Sequence, residues 1–426
     1  MGYKTYIICE IDGEVNEVEA KEVDKIENQF FVITVNENGT LNIYDKATHK
    51  LYEEVLMLED GADDGDEYDF SPLEDDLILY SDKVKADYKI IDRELSSDIV
   101  ITYPMAIPKD LESRKNKVID TIMDVKLVVK IDNCKPFIDV KFEINNPAGD
   151  HRVRTLIPTD INSNFSLSDN QFGSIKRDVY DDAMLVWQEE KWNERPDAIY
   201  PMLTYVTLSN EERGMAVLTN STREFEIIGL GEGIAAKQNA GEKLECYDTI
   251  AITLFRSIGF LGKEEMFRRP GRPSGIKLPT PDSQMYGKVN IDIALYPYKG
   301  EALKANVSRI AKEYLTPLYT YNKMPHNAMK LNPVDFTMPY SFSLLSEVNK
   351  DITLSTIKKS EKNNGIIVRY YNGTESDKKA SFVINQDLKV KKAALAKLDE
   401  KITSELNNLS NIDVKKNKVS NIYLEF

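Results

Sequence analysis

The sequence predicts a mainly β protein: a large antiparallel β-sandwich followed by a smaller β-sandwich domain. Three observations carry that reading. Short runs of alternating apolar and polar residues recur along the chain, the pattern of strands with one buried face. Clusters of glycine, proline and asparagine separate these runs, as hairpin connections require. Clear helical spacing is confined to one stretch before Pro317. At 426 residues the chain also exceeds what one ordinary core can fill, so two or three domains are expected.

In chain order, residues 30–35 and 40–44 flank Asn38-Gly39, whose tolerance of positive φ marks a hairpin turn. Residues 125–132 and 137–145 alternate on either side of Asn133-Cys134-Lys135-Pro136 and read as a second hairpin. Residues 215–219, 225–228 and 250–255 continue the antiparallel pattern. Leu303, Val307, Ile310 and Ala311 then fall at helical spacing, giving a helix over 301–315. Beyond Pro333 and Pro339, strands are expected at 352–357, 365–371, 379–384 and 420–426. Residues 391–406 read equally as a short helix or as a strand at 393–398 followed by a polar turn.

A formal net charge of −15 repels polyanions, and no concentrated basic face appears, so nucleic acid is excluded as a partner. No apolar run reaches the length of a membrane span, and the N-terminus meets acid too soon for a signal peptide. Cys9, Cys134 and Cys246 are widely spaced and form no CxxC pair, which fits buried thiols in a reducing cytoplasm.

Residues 60–68 gather five aspartates and glutamates with two glycines, the kind of donors a hard cation needs. The calcium-loop template fails, because Ala62 and Ser71 occupy its third and twelfth positions. A solvated acidic loop is the favoured reading, with polar ligand contacts the alternative. Within it, Gly65-Asp66-Glu67-Tyr68 pairs carboxylates with an aromatic ring, as sugar sites do: carboxylates accept from hydroxyls while a ring packs on the C–H face. A second loop follows Arg256 and holds Arg268, Arg269 and Arg272 among Pro270, Pro273, Pro279 and Pro281. Such a loop has a surface or interdomain role.

The three histidines, His49, His151 and His326, lack any HxxxH, HxH or HxD spacing, so a histidine zinc site is not expected. His49 and His326 read as exposed. In Asp150-His151-Arg152-Val153-Arg154, acid, imidazole and two guanidiniums alternate at a strand start, and a structural ion-pair network is favoured there. No nucleophile elbow, P-loop or dinucleotide fingerprint is present.

Several segments resemble, in the same order, the region beyond the catalytic domain of glycoside hydrolase family 38, the α-mannosidases. They are Tyr3-Lys4-Thr5-Tyr6, residues 26–30 and 38–46, Gly65-Asp66-Glu67-Tyr68, Asp150-His151-Arg152, residues 213–218, and residues 254–257 through Pro279-Thr280-Pro281. Ala294-Leu295-Tyr296-Pro297-Tyr298 extends the likeness, which weakens after Pro339. The resemblance implies a galactose-mutarotase-like supersandwich. It divides the chain into a short β segment at 1–24, the large sandwich at 25–298, a helical or loop linker at 299–332 and a small C-terminal sandwich at 333–426.

It further implies a retaining hydrolase of terminal α-mannosides in mannose metabolism, whose N-terminal domain carries zinc, nucleophile and acid/base. That domain is expected to be missing here, so no cofactor and no catalysis are expected from this chain alone. By resemblance, Asp66, Tyr68 and Arg177 are candidates for the sugar-pocket rim, with Tyr68 packing on a mannose ring and Arg177 donating to hydroxyls. His151, Arg152 and Arg154 are supporting or structural candidates. Expected partners are a mannoside or mannose-containing glycan and the N-terminal catalytic domain or chain, with a second copy of the chain as a further possibility. The loop arginines are read as docking the missing domain or a neighbouring subunit. The alternative is a free-standing carbohydrate-binding or mutarotase-like module.

Overall fold

The computed structural model describes residues 2–6, 24–320, 339–348 and 352–426. Expectations for Cys9, His326 and residues 321–332 lie outside these. Two compact units result, the larger spanning residues 18–169 and 175–307 and the smaller residues 1–17, 170–174 and 308–426.

The larger unit is built on strands whose alternation the sequence displays. Thr121–Asp132 buries Met123, Val125, Leu127, Val129 and Ile131 and turns Lys126 and Lys130 outward. It pairs antiparallel with Ser96–Ile107 on one side and Ile138–Asn146 on the other. These strands sit in a nine-stranded sheet that also contains Gly287–Lys299 and Arg213–Thr219. A six-stranded sheet holds, in order, Tyr200–Pro201, Glu224–Ile228, Thr249–Arg256, His151–Pro158, Met57–Ala62 and Leu79–Tyr80. The Asn38-Gly39 hairpin belongs to a four-stranded sheet, with Val35 opposite Leu41 and Gly39 at φ 82°. One apolar cluster joins the inner faces of all three sheets, from Ile33 and Ile43 through Leu127 and Phe142 to Val153 and Ile252. This is the sandwich that one-sided burial dictates.

His151–Pro158 departs from that pattern, since both faces are buried. Val153 and Ile157 enter the main core, whereas Leu156 joins Met57, Ile228 and Ala251 in a separate small cluster. Alternation therefore puts Arg152 and Arg154 on the outer face with Leu156, and His151 on the inner side with Val153.

In the smaller unit, a five-stranded sheet orders Thr353–Lys359, Ile366–Asn372, Lys418–Glu425, Lys392–Ala396 and Ile402–Glu405. Val368, Tyr370, Phe382, Ile412, Ile422 and Leu424 form its core. Residues 392–405 are thus a β-hairpin, which decides between the two readings left open for 391–406. The predicted helix covers only Val307–Leu315, because residues 302–306 form turns.

The acidic run is not a solvated loop. Its first part lies in the strand Met57–Ala62, and Asp60, Asp63 and Asp66 are buried. Cys134 and Cys246, expected as buried thiols, are exposed, one in the 133–136 turn and the other in the loop before Thr249–Arg256.

Candidate functional site

Three ionic groups hold the acidic run in place. The innermost centres on Asp60, whose carboxylate meets His151 Nδ1 at 2.5 Å and accepts from Arg114 Nη2. His151 Nε2 faces Asn146 Oδ1 at 2.9 Å, and Asn146 Nδ2 donates to Ser257 Oγ and Gln284 O, which fixes the amide's orientation. Arg114 rides on the short helix Leu111–Lys115, capped by Asp110. Burial pushes the Asp60 carboxyl up, but the charges of His151 and Arg114 outweigh it and hold it below the usual carboxylate range.

The second group covers the outer face of the six-stranded sheet. Arg154 donates to Glu59 at 2.8 Å on the adjacent strand and, across Thr249–Arg256, to Glu226 at 2.5 Å, tying three strands of the sheet by side chains. Arg152, two residues away on the same face, lies 3.4 Å from the centre of the Phe70 ring and 3.7 Å from Glu224. The expected structural network at 151–154 is therefore present, with His151 1% exposed and Arg152 and Arg154 each 5%.

The third group joins the two loops that the sequence shows as separate features. Arg256 forks onto Asp63 at 2.6 and 3.1 Å and donates to the Asp66 and Asp69 carbonyls. Asp66 accepts from the Tyr68 and Asp69 amides, the Lys263 amide, Ser274 Oγ and Arg269 Nη2. Arg269 also holds Asp69 at 2.6 Å, and Arg268 holds Asp197. Of the proline-rich loop's arginines, Arg269 is taken up by the acidic turn and Arg268 by Asp197. Arg268 and Arg269 are buried, and of the three Arg272 is exposed.

Asp66 needs a second correction. Five donors already fill the roughly four lone-pair positions of a carboxylate, so it has no free acceptor for a sugar hydroxyl. It fixes the turn instead. What the turn presents is Tyr68, 57% exposed, its ring backed by the Gly275 backbone, where an added Cβ would lie 3.2 Å from Tyr68 Cε2. Tyr68 stands at a cleft of about 170 Å³ that Glu194, Arg195, Asp197, Arg268 and Arg269 also line. Arg177 is not among the cleft's residues; it lies on Gly173–Asp178, half-buried, 5.0 Å from the Tyr200 ring. Sequence reasoning missed Arg114, Glu194, Arg195 and Asp197. They lie outside the resembling segments, and their pairing spans tens of residues, so no local pattern marks them.

Among the described residues, no three His, Cys, Asp or Glu side chains are grouped to hold a metal ion. The carboxylates of this site are matched to guanidiniums, so the residues do not fit zinc, and no chemical step is routed through one here. Nor is any helix among the described residues long and apolar enough to cross a membrane.

Fold and site together define a two-unit antiparallel β protein that displays an exposed tyrosine on an arginine-clamped acidic turn. Residues 26–260 match the glycosyl hydrolases family 38 C-terminal domain, and residues 351–422 the family's C-terminal beta sandwich domain. The chain belongs to glycosyl hydrolase family 38, as part of its C-terminal region. A protein of Halalkalibacterium halodurans named provisionally as a mannosylglycerate hydrolase is 23% identical over 394 residues, covering 87% of this chain and 39% of that protein. Two Enterococcus faecalis structures share the fold. A family 38 protein superposes at TM-score 0.75 and 17% identity, covering 94% of this chain and 44% of that one. An alpha-mannosidase superposes at 0.74 and 18%, covering 94% and 42%. The chain thus spans about two-fifths of the length of these relatives.

Proposed function

We propose that this chain is the β-rich part of a family 38 hydrolase of terminal α-mannosides, where it forms the rim of the sugar pocket and scaffolds a catalytic domain. Zinc, nucleophile and acid/base belong, in this proposal, to the N-terminal domain. Family membership and the alpha-mannosidase and mannosylglycerate hydrolase names among the relatives support the reading. The observation that carries it is Tyr68. A large ring left half in water on a turn held by Asp66, Arg256 and Arg269 is a preorganised stacking surface, and it loses little entropy when a sugar packs on it. Arg177 is proposed to donate to sugar hydroxyls from its strand, where its Nε is buried without an acceptor.

The test is the Tyr68→Ala variant in the assembled enzyme, with this region joined to its catalytic domain. Losing a stacking contact is expected to lower kcat/KM for an aryl α-mannoside by about tenfold or more, while Tyr68→Phe retains most of it. An unchanged kcat/KM in Tyr68→Ala would overturn the rim role.

A further inference from the structure

The cleft beside Tyr68 is lined by buried guanidiniums whose Nε–H groups find no acceptor in the chain. Arg195, Arg268 and Arg269 line it and are 5%, 5% and 3% exposed. Arg195 donates to Asn239 O at 2.7 Å and stands 3.7 Å from Asp197, the same carboxylate that holds Arg268. One aspartate therefore serves two guanidiniums. The Nε–H of Arg195, Arg268 and Arg269 is buried and meets no acceptor, and so is Nη1 of neighbouring Arg152. Buried donors left unmade bear their full desolvation cost, so four in one place call for an acceptor from outside the chain.

The electrostatics agree. Burial, then the charges of Arg195 and Arg152, push the Arg268 guanidinium well below its ordinary range. Burial and Arg154 bring Arg152 down to about 10. At the cleft edge, burial and then Asp69 raise the Glu194 carboxyl.

We propose that this cleft binds a compact oxyanion, a carboxylate or phosphate group carried by a small ligand, with Arg195 and Arg268 as its principal donors. The guanidinium fork matches both groups bidentately. A space of about 170 Å³ exceeds several-fold the roughly 30 Å³ share of a water molecule, which suits such a group and its first few attached atoms. The inference goes beyond the rim role of Tyr68, since the mannose ring is uncharged and a site of this kind serves a charged group borne by the ligand.

Calorimetric titration of the full chain with sodium phosphate and, separately, sodium acetate tests it, with ionic strength held constant by sodium chloride. Saturable binding of either supports the site; phosphate alone indicates a phosphorylated ligand and acetate alone a carboxylated one. Arg268→Met is expected to weaken binding about tenfold or more. Because removing a buried arginine can unfold the chain, Glu194→Gln supplies the second arm. It removes a competing carboxylate from an exposed position and should tighten binding roughly threefold at neutral pH. Absence of binding to both anions overturns the proposal, as does an affinity unchanged in every variant that folds.

Discussion

Asp66 shows how much of this site is fixed by one side chain. Its carboxylate gathers five donors from three stretches of chain, residues 66–69, Lys263 and the 269–274 segment. Burial raises its pKa, but the Asp69 and Lys263 amides and Ser274 more than offset that and hold the group below its usual value of 3.8. An amide at this position would present Nδ2 to donors, so Asp66→Asn is expected to cost about 3–5 kcal/mol near neutral pH, the usual penalty for breaking a buried pair. The sign with pH follows from the depressed folded pKa. The contribution of Asp66 is fully present above pH 3.8 and is lost as pH falls from there through the folded value, so parent and variant should converge in acid. Urea unfolding of both proteins between pH 7 and pH 3 measures this; a constant difference would show that the ionised carboxylate is not what matters. The sequence offered Asp66 as a sugar acceptor because carboxylates beside a tyrosine fit that role. Its true use depends on donors about 200 residues away, which no local pattern displays.

Elements were far more legible than contacts. The alternation in residues 121–132 and the turn residues Asn38-Gly39 specify strand, face and reversal locally, and the structure follows them. Segment 391–406 stayed ambiguous because its alanines, leucines and lysines suit either state, and pairing with Lys418–Glu425 decided it. The run at 60–68 misled because charge was taken to mean solvent, whereas Asp60, Asp63 and Asp66 are buried against Arg114, Arg256 and Arg269. Gly214 offers a test at this scale. It lies opposite Tyr298 in neighbouring strands, and an added Cβ would fall 2.2 Å from the ring, which Thr207 Oγ1 fixes by a 2.6 Å hydrogen bond. Gly214→Ala should therefore destabilise the larger unit by about 1–3 kcal/mol, and truncation of Tyr298 to alanine should relieve part of the strain. Thermal unfolding of the single and double variants gives the coupling, and strictly additive losses would dismiss the packing argument.

For the whole molecule, the order of the resembling segments revealed the lineage, and matches over 26–260 and 351–422 establish it. What those segments could not reveal was that the acidic turn and the proline-rich arginine loop are partners. Together they present Tyr68 and border a cleft lined by arginines whose Nε–H groups are buried without an acceptor. In the function proposed above, zinc and the reacting groups come from a further domain. The most direct test is an aryl α-mannoside assay on this chain alone in zinc-supplemented buffer. The account predicts no turnover above the buffer rate, with activity appearing once the family's N-terminal domain is supplied. Clear turnover by the isolated chain would contradict it.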